Sequence, residues 1–197
     1  MSLIRFEPLK EFEDLFSRYS PVFGRLPRLA GEAETAQWRP AANISETDRE
    51  FLFEVYAATR TEELAQVPWS NEQKRAFLWQ QFEAQDHEYR RAYPDGVYSV
   101  IELSTNRVGR LYLRHGATDT RIVDLALLPD YRGWGIGSRI LGDLARDADR
   151  AGRSLSIHVE VFNTGARRLY ERFGFALAED KGVYLLLVRP PAPSGRG

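Results

Sequence analysis

The sequence predicts an α/β fold, a single domain built on a mixed sheet. Three observations carry that expectation. Apolar residues alternate with period two in several short runs and recur at helical spacing in longer ones, so the chain holds both strands and helices. A hairpin pattern comes first and strand–helix–strand crossovers follow, which combines antiparallel with parallel pairing. The 197 residues, 43% of them hydrophobic, suffice for one ordinary core without covalent staples.

Residues 1–36 read as an extension. Leu9, Phe12, Leu15, Phe16 and Tyr19 lie on one face of a short amphipathic helix, and Pro21, Gly24, Pro27 and Gly31 then interrupt the chain. The domain proper spans 37–189. Gln37–Ala42 suits a first strand, held off from helix by Pro40. Ser45 or Thr47 is the N-cap of a helix through Phe51, Phe53, Val55 and Tyr56. A second helix runs from Asn71 to about Arg91, with Phe77, Leu78, Gln81, Phe82 and Gln85 on one face. Pro94-Asp95-Gly96 signals a turn. Val97–Leu103 and Val108–Arg114 alternate as two strands joined by a hairpin-length link. Arg121–Leu128 is a third strand-like run, ended by Pro129. Ile136, Ile140, Leu141, Leu144 and Ala148 define an amphipathic helix over Ile136–Ala151, stopped by Gly152. Leu155–Val161 is strand-like, Thr164–Phe173 is a helix stopped by Gly174, and Tyr184–Val188 is a final buried strand. The tail, 190–197, has the composition of a disordered segment.

The informative stretch is Leu125–Ser138, which runs from a strand through a loop with glycines at 133, 135 and 137 into the helix opened by Ile136. Glycine lets backbone approach a ligand closely. The free N–H groups of the helix's first turn face the same point, with the positive end of the helix dipole behind them. This is an anion cradle suited to a diphosphate, and Arg132 adds a cation at its rim. A nucleotide P-loop needs a lysine that is absent here, and a dinucleotide fingerprint needs a third glycine one position further on.

Arg132-Gly-Trp-Gly135-Ile-Gly137 resembles the Arg/Gln-x-x-Gly-x-Gly/Ala motif of the GNAT superfamily of N-acetyltransferases. Leu127-Leu128-Pro129 is similar to the family's strand end before that loop. Asn163-x-x-Ala166-x-x-Leu169-Tyr170-x-x-x-Gly174-Phe175 resembles its second signature, one strand and one helix later. The resemblance covers about residues 38–189. It implies a mostly antiparallel sheet splayed between the fourth and fifth strands and flanked by about four helices. It also implies acetyl-CoA as cosubstrate, lying in that split.

The residues the resemblance places around acetyl-CoA are Leu127, Leu128, Arg132, Gly133, Trp134, Gly135, Ile136, Gly137, Ser138, Asn163 and Tyr170. An N–H at Leu127 or Leu128 would polarise the thioester carbonyl. Asn163 would hold the pantetheine arm or the next helix's N-terminus. Tyr170 would protonate the leaving thiolate. For the general base, Glu160 and Asp124 lead; Glu102, His158 and a water relay stay open. Tyr56–Tyr93 is expected to form the acceptor side, with Trp69 as a candidate wall and Trp79 and Phe82 read as packing between the two helices; the acceptor is read as a small primary amine.

Composition excludes other chemistries. With no cysteine there is no disulfide, thiolate nucleophile or Cys-based metal site, and the three histidines lie too far apart for zinc spacing. A net charge of −1 gives no drive toward nucleic acid or anionic membranes. No run approaches a membrane span and the N-terminus lacks a signal's apolar region, so a cytoplasmic location is expected. Residues 1 to about 50 resemble the N-terminal arm of bacterial small heat-shock proteins, which implies a possible homo-oligomer. Two other readings therefore stand beside the transferase: an acyl-CoA-binding module without catalysis, and a chaperone-like fusion protein led by the arm.

Overall fold

A computed structural model describes residues 36–40 and 45–193. Twelve segments follow in order: β1 (Ala36–Pro40), α1 (Glu46–Ala65), α2 (Asn71–Ala92), β2 (Val97–Leu103), β3 (Asn106–His115), β4 (Asp119–Leu127), a 3-10 turn (Pro129–Tyr131), α3 (Ile136–Ala151), β5 (Ser154–Glu160), α4 (Thr164–Arg172), β6 (Ala176–Asp180) and β7 (Tyr184–Arg189). The strands form one sheet in the order β1-β2-β3-β4-β5-β7-β6. Every pair is antiparallel except β4–β5, which is the crossover spanned by α3. The mixed, mostly antiparallel α/β architecture read from the sequence is the one observed.

Local chemistry explains most boundaries. Ser45 and Ser70 each accept the backbone N–H three residues on, while Asp48 and Gln73 reach back to the cap N–H. These reciprocal capping boxes start α1 and α2. Gly152 ends α3 in the left-handed conformation that glycine adopts freely.

Two differences from the sequence reading have physical causes. Helix α1 continues nine residues past Tyr56, to Ala65, through a half that is mostly solvent-facing and so lacks apolar periodicity. Strand β6 was not separately legible, because all five of its residues are exposed on the sheet's edge and no buried alternation marks them. The helix expected over 9–19, and most of the segment resembling a small heat-shock arm, lie outside the described residues.

The sheet carries a core on each face. Helices α3 and α4 cover one, where Ile136, Ile140, Leu141, Leu144 and Tyr170 meet Leu111, Ile122, Leu155, Ile157 and Leu187. Helices α1 and α2 cover the other, where Leu52, Phe53, Tyr56 and Phe82 meet Tyr98, Val100 and Tyr112. Burying a large apolar side chain contributes roughly 1.5–3 kcal/mol, so both faces matter to stability.

Candidate active site

The site begins where β4 and β5 part. They pair in parallel from Asp119↔Ser154 to Ile122↔Ile157 and no further. Strand β5 goes on pairing with β7 as far as Glu160↔Tyr184, and β4 with β3 as far as Leu127↔Gly109. Val123–Leu127 and His158–Glu160 therefore face each other across an opening wedge.

A bulge in the β3–β4 ladder falls at the same place. Leu113 pairs with Ile122, but Tyr112 pairs with Asp124, so Val123 is the extra residue. Leu113 and Ile122 belong to the α3 side, whereas Tyr112 belongs to the α1–α2 side. The bulge thus turns Asp124, which shares simple strand parity with Ile122, to the opposite face.

Beyond the bulge, the backbone presents itself to the wedge. The Leu128 N–H donates to Val108 O at 2.9 Å, which makes that pair a hydrogen-bonded one. By the alternation of an antiparallel ladder, the peptide groups of Leu127 turn away from β3, toward the wedge. Consistently, the Leu127 carbonyl accepts Arg132 Nε at 2.9 Å. Of the two amides considered from sequence, that of Leu128 is engaged and that of Leu127 is presented. Gly109 lies opposite Leu127, and a Cβ there would sit 2.3 Å from the Ala126 carbonyl oxygen. Glycine is what lets β3 approach β4 at this point, a requirement that sequence reading missed.

The wedge ends at the glycine loop. Gly133 and Gly135 have φ of 77° and 88°, the left-handed region that glycine tolerates without strain. Gly135 is the N-cap of α3 and supplies no side-chain cap. The amides of Ile136, Gly137 and Ser138 thus open the helix without one, with the helix dipole behind them. Trp134 packs on Tyr131 with ring centroids 5.8 Å apart. Asn163 Oδ1 accepts the Ala166 N–H at 3.1 Å, so its carbonyl serves α4.

Side chains enter the wedge from both faces. Tyr170 is 5% exposed and packs on Phe175. Burial first, and the nearby Asp124 charge second, push its phenol well above the usual tyrosine range, so it keeps its proton at neutral pH. From the other face, Asp124 accepts Arg110 Nη2 at 2.6 Å and the Tyr89 hydroxyl at 3.4 Å. Glu160 lies 3.5 Å from Arg60 of α1, with its side chain 40% exposed. His158 is exposed on the same face as Glu160; partial burial of its ring and the adjacent Arg121 lower its pKa.

The structure brings Asp124, Tyr170, Leu127 and the glycine loop to one wedge, with Glu160 and His158 on its far wall. It does not bring Glu102 there: that residue sits on β2 opposite Gln37, with β3 between it and β4. Trp69 is 42% exposed and packs on Phe77, while Phe82 is buried and Trp79 packs on Phe53 at a tilt. A second concavity of about 810 Å³ lies across α1, lined among others by Phe51, Leu64 and Tyr131; none of Asp124, Glu160 and Tyr170 borders it. Among the described residues no group of three or more His, Asp or Glu could hold a metal ion, and no helix is long and apolar enough to cross a membrane.

The family profile described as "Acetyltransferase (GNAT) family" matches residues 53–175. N-alpha-acetyltransferase 50 of Danio rerio is 31% identical over 71 residues, 35% of this chain and 42% of that protein. The curated relatives matched here are spanned over 39% to 54% of their length. Two crystal structures share the fold. The PaiA N-acetyltransferase of Thermoplasma acidophilum in complex with coenzyme A has a TM-score of 0.58 at 17% identity, covering 79% of this chain and 98% of that one. An acetyltransferase of Thermus thermophilus has a TM-score of 0.56 at 21% identity, covering 79% and 97%.

Proposed function

This chain belongs to the acetyltransferase (GNAT) family, and from that premise we propose that it is an acetyl-CoA-dependent N-acetyltransferase that acts on a primary amine by direct attack. The observation that carries the reading is the β4–β5 wedge. It offers unpaired strand backbone for an extended arm, the Leu127 amide inside, and an uncapped helix N-terminus at its end. These features fit acetyl-CoA: the backbone of 125–127 would pair with the pantetheine amides, and the amides at 136–138 with the pyrophosphate.

When bound, the cosubstrate supplies an electrophilic acyl carbon and a thiolate leaving group. The chain's residues do the rest. The Leu127 N–H donates to the carbonyl oxygen as negative charge builds there. Tyr170 gives its hydroxyl proton to the departing sulfur. Glu160, directly or through a water, takes the proton that the amine must lose. The C–N bond forms as the C–S bond breaks, and no enzyme nucleophile is required, in keeping with a chain that has no cysteine. Asp124 is the poorer candidate for that step, because its Oδ2 is already held by Arg110 at 2.6 Å.

The test has two arms. Calorimetry with coenzyme A measures binding, and thiol release from acetyl-CoA is followed with spermidine, glucosamine and a Met-initiated peptide as acceptors. Binding plus amine-dependent thiol release is expected. Binding without release from any acceptor would favour the acyl-CoA-binding module instead, and no binding would remove both readings.

A further inference from the structure

Outside the residues assigned above, the strongest chemical feature is Arg110. An arginine at the centre of a sheet needs a reason: its residue is 3% exposed, and its Nε is buried without a hydrogen-bond partner. Its guanidinium donates through Nη2 to Asp124 Oδ2 at 2.6 Å and to Gln85 Oε1 at 3.0 Å. The rings of Tyr112 and Tyr56 lie 5.3 and 5.9 Å from its carbon centre and exclude water around it. The clamp thus ties β3, β4 and α2 together at the place where the sheet opens.

The arrangement on Asp124 is asymmetric. Arg110 and Tyr89 both bind Oδ2. No hydrogen bond reaches Oδ1 among the described residues, and the side chain keeps 15% of its surface exposed. The free oxygen therefore belongs to a carboxylate that is fixed in place, one bulge away from the last β4–β5 pair.

We propose that Arg110 is a positioning residue that holds Asp124 as a fixed anion in the wedge, and that Asp124 Oδ1 binds the acceptor as its ammonium while a different group removes the proton. The proposal rests on the acetyltransferase reading and narrows its acceptor to an amine that arrives as a cation. An ammonium donates three N–H bonds, and a charge-assisted one to a carboxylate is about twice as strong as a neutral pair. The carboxylate, held on one oxygen, attracts the cation with the other and orients it. Tyr89, on the same Oδ2, keeps the carboxylate plane from rotating. No bond is made or broken by Asp124 in this step, so the proton inventory of the transfer is unchanged.

The test is steady-state kinetics on Asp124→Asn, Arg110→Lys, Arg110→Gln and the double variant Asp124→Asn/Arg110→Gln, using whichever of spermidine, glucosamine or the Met-initiated peptide the wild type turns over fastest. Asparagine keeps an oxygen for Arg110 and preserves the shape. Asp124→Asn is expected to raise the acceptor KM about tenfold, with kcat within about threefold and the acetyl-CoA KM unchanged. Arg110→Gln should show the same split, Arg110→Lys should rescue part of it, and the double variant should be no worse than Asp124→Asn alone. A hundredfold or so loss of kcat at constant acceptor KM would make Asp124 the base and overturn the proposal. Multiplying effects in the double variant would show that Arg110 does not act through Asp124. If Arg110→Gln fails to fold, Arg110→Lys carries the second arm, and an unaltered acceptor KM in Asp124→Asn overturns the proposal by itself. A wild type that releases no thiol with any acceptor counts against the acetyltransferase reading instead, so the two failures are distinct.

Discussion

Tyr170 shows how a single residue's role follows from where the fold puts it. It is nearly buried in the α3–α4 core, yet its hydroxyl feels Asp124 through the gap between β4 and β5. Both influences favour the neutral phenol, which is the state a general acid needs. Replacing Tyr170 with Phe removes the proton and keeps the ring that packs on Phe175. Turnover should fall about a hundredfold or more while coenzyme A binding by calorimetry stays within a factor of about two. The motif around it singles out Tyr170 in the sequence. The clamp on Asp124 was not legible there, because Arg110 and Asp124 meet only once β3 and β4 pair with a bulge between them. Nor did parity give a signal: Arg110 alternates with Leu111 and Leu113 and shares its side with Arg114, so it reads as the polar face of an ordinary strand.

At the scale of elements, α3 connects the glycine loop to the rest of the molecule. Its bounds were readable to the residue, since an apolar stripe ends at a helix-stopping glycine. Its N-terminal loop depends on Gly135 at φ 88°. A Gly135→Ala change forces a side chain into that region at a cost of roughly 1–3 kcal/mol. Coenzyme A affinity is expected to fall about tenfold or more, with the far-ultraviolet dichroism of the fold retained. At the other end of α3, Asp149 takes two bonds of 2.8 Å from Arg189 of β7 and the Ala192 N–H. The hydrogen bonds from Arg189, then that from Ala192, hold its carboxyl down at about 2 from an ordinary 3.8. A depressed folded pKa stabilises the native state above the unfolded value and loses that contribution as pH falls through the folded one. The melting-temperature gap between wild type and Asp149→Asn should therefore be widest above pH 4 and shrink toward pH 2. The elements that sequence did not delimit, β6 and the second half of α1, are exposed ones, where the solvent side imposes no period on the residues.

For the whole molecule, the order of elements mattered more than any motif. The hairpin-then-crossover order read from the chain already required a mixed sheet, and the single parallel pair is where that sheet parts. How far the strands stay together was not legible, because it depends on a bulge and on the close approach that Gly109 permits, neither of which alters the hydrophobic pattern. The parting lets two cores face one wedge. The α3–α4 side brings the glycine loop and Tyr170, and the α1–α2 side brings Tyr56, Tyr89 and Arg60 around Asp124 and Glu160. On the proposed function, acyl donor and acceptor enter from opposite faces and meet inside. The most direct measurement of this account is a crystal structure with coenzyme A. The account predicts the pyrophosphate on the amides of 136–138, the pantetheine arm along 125–127, and the sulfur beside the Tyr170 hydroxyl. Coenzyme A bound in the concavity across α1, with the β4–β5 wedge left untouched, would contradict it.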